Sequence, residues 1–195
     1  MSPSSTPGPA TDQPRIISAR SRRAAGALAA LRSVHPDAVG VAGELHIGLK
    51  DEIARWSQTM QRVSPDLRRS ASSLERELRR TIPRASPPRI RDGDFRLGNI
   101  LFEGPAIRGI IDWEIWALTD PRVDVGWFLV LFEEEVFGDL VQGSCGTPSP
   151  PQLLKEYEQH AGTPVKQIEW FIALAAYKMA TIFGHNLKRH RGTIP

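Results

Sequence analysis

"RDGDFRLGNILFEGPAIRGIIDWE", residues Arg91–Glu114, holds three aspartates, an asparagine and two apolar runs. The runs Ile100–Phe102 and Ile107–Asp112 flank Gly104–Pro105, a pattern that predicts a β-hairpin. Antiparallel pairing brings the start of the first strand and the end of the second to one edge, so Asn99 and Asp112 meet there. An amide oxygen and a carboxylate at one edge suit a hard divalent cation such as Mg2+. Asp94 stands five residues before Asn99, in a polar loop with Gly93 and Gly98. A carboxylate there can reach a hydroxyl group beside the cation-bound ligand and orient it or take its proton. Singly, each residue is ordinary: Asp94 a turn cap, Asn99 a turn residue, Asp112 a strand end. The signal lies in their order and spacing.

Around the hairpin the pattern is helical. Ala19–Val34 carries Leu28 and Leu31 on one face. Leu49, Ile53, Trp56, Met60 and Val63 recur at steps of four and three, as do Leu67, Ala71, Leu74, Leu78 and Ile82 after the start signal "SPD". "PRASPP" breaks the second stripe. Asp120–Pro121 opens a further apolar helix, with Asp120 as its N-cap. Leu153–His160 starts another helix, and Ile168–Phe183 is apolar nearly all round, as a buried helix is. The fold class is therefore α+β and mostly helical, with helices around a short central hairpin. Residues 1–18 read as a disordered Pro/Ser-rich tail, 19–190 as the folded unit and 191–195 as a frayed tail.

Composition narrows the classes. The 195 residues are 41% apolar and 24% charged, ordinary for a globular protein. There is no run of eighteen apolar residues, no secretory h-region and a single cysteine, Cys145, expected to be inert. A cytoplasmic protein without a membrane partner is expected. Residues 1–91 carry 16 Lys/Arg against 8 Asp/Glu, whereas 92–139 carry 11 acids and 3 bases. The arginines of the basic half are scattered through helical pattern with few aromatics among them, so no nucleic-acid partner is expected. Trp113, Trp116, Trp127 and Trp170 read as core, Glu133–Glu135 as a solvated face, and the five histidines show no ligand spacing.

With these residues in view, "GDFRLGNILF…IIDWE…DPRVDVGWF" resembles the aminoglycoside phosphotransferase family, the choline-kinase-like small-molecule kinases. The likeness reaches "EIARWSQTM", "YEQHAG" and "IEWFIALAAYKMATI". It is greatest to the branch that also occurs fused to acyl-CoA dehydrogenase. The resemblance implies a protein-kinase-like C-lobe. It implies Asp94 as the catalytic aspartate facing the acceptor hydroxyl, and Asn99 and Asp112 as ligands of Mg2+ on the phosphates of ATP. It implies that Asp124 braces the catalytic loop through backbone N–H groups. Arg96 and Trp113 occupy nearby loop positions as candidate supports.

Two departures stand out. The family has His-Gly-Asp where this chain has Asp92-Gly93-Asp94, which sets a second acid beside Asp94 and predicts a raised carboxyl pKa there and reduced activity. Nothing before Ala19 resembles a Gly-rich loop or strand lysine, so the expectation is a C-lobe with its N-lobe absent, from a truncated gene, a mis-called start or a degenerate paralogue. Two functions follow. One is ATP/Mg2+-dependent phosphoryl transfer to a small-molecule hydroxyl. The other is a non-catalytic binding or regulatory remnant that dimerises or docks on a separate N-lobe. A hydrolase with Asp92, Asp94 and Asp112 clustered on a metal is a distant third.

Overall fold

The computed structural model describes residues 13–133 and 147–191. Its first helix, α1 (Gln13–Ser33), turns Ser21, Ala24, Ala25, Leu28 and Ala29 inward at helical spacing. Residues 13–18, placed in the tail by the sequence pattern, are the opening turns of this helix. Ile16 and Ile17 are half-buried there, which gives these turns apolar contact. The stripe Leu49, Ile53, Trp56, Met60 and Val63 is buried in full, the first four on α2 (Leu49–Met60).

The second stripe is less buried than its periodicity suggests. On α3 (Pro65–Arg80), Leu78 is buried, Ala71 and Leu74 are half-buried, and Leu67 is exposed. This helix meets the core on one side only, along α2 and the last helix.

Four short strands follow. β1 (Arg89–Arg91) pairs antiparallel with β4 (Ala117–Thr119), with Ile90 opposite Leu118. The sequence pattern did not show this ribbon, because three residues are too few to display alternation. β2 (Ile100–Glu103) and β3 (Ala106–Ile110) form the expected hairpin, Ile100 opposite Ile110, with Gly104 at φ 57° in the turn. Before β2 the chain makes a 3-10 turn at Leu97–Asn99.

Three helices complete the fold: α4 (Arg122–Val130), α5 (Pro150–Ala161) and α6 (Ile168–Arg191). All nine residues of α4 are buried. α4 crosses α6 so closely that a Cβ on Gly126 would lie 2.4 Å from the Phe171 carbonyl oxygen, so only glycine fits there. α5 opens with the Ser149 N–H donating to the Gln152 side chain at 3.0 Å and lies along α1. The core runs through edge-to-face aromatics, Phe95 on Phe128 at 5.6 Å and Phe128 on Phe132 at 5.2 Å. Glu133 is half-buried, while Glu134, Glu135, Cys145 and residues 192–195 lie outside the described residues. No helix among the described residues is long and apolar enough to cross a membrane.

Candidate active site

The site is built on the loop between β1 and β2, and that loop is held from α4. Asp120 fixes the start of α4, its Oδ1 accepting the Arg122 N–H at 3.0 Å while its carboxylate pairs with the Arg122 guanidinium at 2.7 Å. Asp120, expected as the N-cap, stands one residue before it: Pro121 is the cap, and Asp120 holds the Arg122 N–H and guanidinium from just outside the helix. One turn on, Asp124 Oδ2 accepts the Asp92 N–H at 2.8 Å and Oδ1 accepts the Gly93 N–H at 3.1 Å. Burial pushes the Asp124 carboxyl up from its ordinary pKa, against Arg91, Lys178 and these two N–H groups. Gly93 sits at φ 94°, and a Cβ there would meet Ile115 at 2.8 Å.

Asp92 is buried completely. Its Oδ1 accepts the Asp94 N–H at 2.9 Å, while Oδ2 has no hydrogen-bond partner among the described residues. Burial, then the carboxylates of Asp124, Asp94 and Asp112, push its pKa up to about 7. The like-charge penalty expected from the sequence is thus present, but desolvation is its larger cause.

Asp94 is addressed by three side-chain donors. Trp127 Nε1 donates to Oδ1 at 3.1 Å, and Arg96 Nε and Asn99 Nδ2 donate to Oδ2 at 2.9 and 3.1 Å. Asn99 Nδ2 also donates to the Asp94 carbonyl at 3.0 Å. Asp94 and Asn99 are therefore in direct contact. Asp112 follows the hairpin, and the Ile111 N–H donates to the Asn99 carbonyl at 2.9 Å, so Asn99 and Asp112 come to the same hairpin end. Asp112 is exposed, has a left-handed φ of 68°, and makes no hydrogen bond or ion pair among the described residues. Asp94 and Asp112 both line a cavity of about 480 Å³, with Trp56, Arg96, Glu114, Trp127 and Lys178; Asn99 does not line it.

Two groups beside Asp94 were missed in the sequence. Lys178 on α6 donates from Nζ to the Gly93 carbonyl and lies 3.8 Å from the Trp127 ring centroid and 5.3 Å from that of Trp56. Its signal was present: it is the lone cation in the apolar run Trp170–Phe183. Arg91 and Glu52 form a 2.8 Å ion pair beneath the site, both 1% exposed, with Trp56 Nε1 donating to Glu52 at 2.8 Å. Burial alone would raise the Glu52 pKa, but Arg91, Trp56 and Lys178 bring it below the usual carboxylate range. No local pattern announces that pair. Trp127, read as core, is buried and also works in the site.

Hard oxygen donors with a free carboxylate fit a magnesium ion: Asp112 is unpartnered among the described residues, and with Asn99 Nδ2 engaged on Asp94 the remaining atom of that amide is its oxygen. No group of three or more His, Cys, Asp or Glu able to hold a metal exists among the described residues, which removes the support for a carboxylate-cluster hydrolase.

A family model described as "Phosphotransferase enzyme family" (APH) matches residues 3–162. The Arabidopsis thaliana protein named Probable acyl-CoA dehydrogenase IBR3 is 30% identical over 185 residues, covering 83% of this chain and 22% of its own length. Acyl-CoA dehydrogenase family member 10 of Mus musculus is 25% identical over 118 residues, 55% of this chain and 11% of that one. This chain therefore spans less than a quarter of either relative. A solved Ralstonia eutropha protein described as an aminoglycoside phosphotransferase shares the fold with a TM-score of 0.73 at 22% identity, over 93% of this chain and 59% of that one. A macrolide 2'-phosphotransferase type I does so with a TM-score of 0.56 at 22% identity, over 95% and 59%.

Proposed function

The chain belongs to the phosphotransferase enzyme family, and from that premise we propose that it transfers the terminal phosphoryl group of ATP to a hydroxyl of a small molecule, with Mg2+. The observation that carries this reading is a shared cavity: Asp94, braced by three donors, and Asp112, unpartnered and exposed, line the same space. Asp94 would orient the acceptor hydroxyl and accept its proton as the new O–P bond forms and the bond to the ADP oxygen breaks. Asp112 and the Asn99 side-chain oxygen would hold the metal. When bound, Mg2+ supplies positive charge to the phosphate oxygens. Trp127, Arg96 and Asn99 hold the Asp94 carboxylate in one orientation, and Asp124 holds the loop that carries it, so positioning is supplied before substrate arrives. The test is conversion of ATP to ADP, followed by 31P NMR, against a panel of alcohols, amino sugars and hydroxy acids. Asp94→Ala should lower the rate about 10²–10⁴-fold, and a wild-type chain inert across the panel would remove the reading.

One observation favours a second reading. Leu101 on the hairpin and Ile111 just after it are 50% and 43% exposed. They support a non-catalytic module that binds a separate N-lobe or a second copy through this face. Light scattering of the wild type against Leu101→Ser separates the two, since only the binding module should lose association.

A further inference from the structure

We propose that Lys178 is a positioning residue for the Asp94 loop: clamped between the Trp56 and Trp127 rings, its ammonium holds the Gly93 carbonyl and so fixes the peptide leading into Asp94. This rests on the phosphotransferase reading of the site.

A lysine is costly to bury, and Lys178 is only 5% exposed. Buried ammonium groups are usually neutralised by a carboxylate, yet among the described residues Lys178 forms no ion pair. Its donor goes instead to a loop carbonyl, and its charge lies against two indole faces, the nearer centroid at 3.8 Å. The same Trp127 donates from Nε1 to Asp94 Oδ1. Consecutive loop residues, 93 and 94, are thus gripped by two groups in contact, one from α6 and one from α4. Lys178 also reaches the cavity wall that Asp94 lines. With Asp124 gripping the Gly93 N–H, both sides of this glycine residue are tied down. Gly93 is where the chain takes a left-handed φ, so an unheld loop has other conformations to visit.

The charges facing Lys178 come from every neighbouring element. Asp124 on α4, Glu52 on α2 and Asp94 in the loop favour its ammonium, while Arg91 on β1 opposes it. Burial is the largest influence and brings its pKa down to about 8. The grip therefore weakens as the ammonium loses its proton in mildly alkaline solution.

The experiment follows the Trp127 indole N–H resonance of the full chain by 15N NMR, assigned by its loss in Trp127→Phe, from about pH 6 to about pH 10. A step centred near about 8 is expected in the wild type. The step should be absent in Lys178→Met and Lys178→Arg, whereas Asp92→Asn should leave it in place. In parallel, ADP formation from Mg2+–ATP in the presence of the hydroxyl-acceptor panel should fall roughly 10–100-fold in Lys178→Met with the KM for ATP little changed, and Lys178→Arg should recover part of it. A flat Trp127 resonance in the wild type, or a step that persists in a folded Lys178→Met, would overturn the proposal. If Lys178→Met does not fold, the wild-type titration and Lys178→Arg decide. If neither the wild type nor any variant forms ADP across the acceptor panel, the functional reading fails, while the resonance still decides the loop grip.

Discussion

The loop at 92–99 and the segment that leaves the hairpin at 111–116 each present one aspartate to the same cavity, and they are built in opposite ways. Asp94 receives three side-chain donors, and its loop is tied down by Asp124, Asp92 and Lys178. Asp112 is exposed, strained in backbone and unpartnered among the described residues. The difference matches the two jobs proposed for them. A group that must meet a hydroxyl in one geometry gains from fixed orientation, whereas a ligand for a cation must keep its oxygens free. Strain in a segment that the hairpin otherwise fixes belongs with the second role.

The contrast is broken hardest at Asp112. Asp112→Gly should lower phosphoryl transfer about 10²–10³-fold, as loss of a single charge-stabilising group does. It should at the same time leave the melting temperature unchanged or slightly higher, because glycine accepts a φ of 68° without strain. A clear loss of stability would show that Asp112 serves the fold. The converse change is Asp124→Ala, which strands two buried backbone N–H groups and should cost the fold roughly 2–5 kcal/mol, read by urea denaturation. A cost below about 1 kcal/mol would mean that the loop does not depend on α4.

A smaller effect sharpens the contrast within the braced region. Trp127→Phe removes one donor from Asp94 while keeping an aromatic ring and should lower transfer about tenfold, consistent with one hydrogen bond to a charged group. Steady-state rates with Mg2+–ATP check it. A pH-dependent effect concerns Asp92. Its folded pKa of about 7 lies above its ordinary value of 3.8, so the folded state holds a proton that the unfolded state has released. Stability should therefore fall as pH rises from about 4 and level off above about 7. Asp92→Asn keeps an oxygen for the Asp94 N–H and should flatten that fall in melts across this range. An unchanged slope would show that other groups set it.

Much of this site could be read along the chain because its parts are local. The interval from Asp94 to Asn99 and the hairpin that returns to Asp112 lie within one stretch, so spacing alone carries their geometry. The buried stripe of α2 was legible for the same reason, since helical periodicity repeats within a few turns. The three-residue ribbon of β1 with β4 was not, because partners 26 to 30 residues apart show no pattern of their own. The start of α1 was missed because Pro, Ser and Thr dominate the residues ahead of it and hide the half-buried isoleucines.

By itself the sequence determined a mostly helical chain, one hairpin, and the trio Asp94, Asn99 and Asp112 in kinase order. Only the tertiary structure decided that Asp94 is braced and Asp112 free, that Asp92 is buried near neutrality, and that Lys178 reaches back 85 residues to Gly93. The reason is physical: periodicity and spacing act through the backbone over a few residues. Burial, charge neutralisation and donor geometry depend on which distant segments pack together.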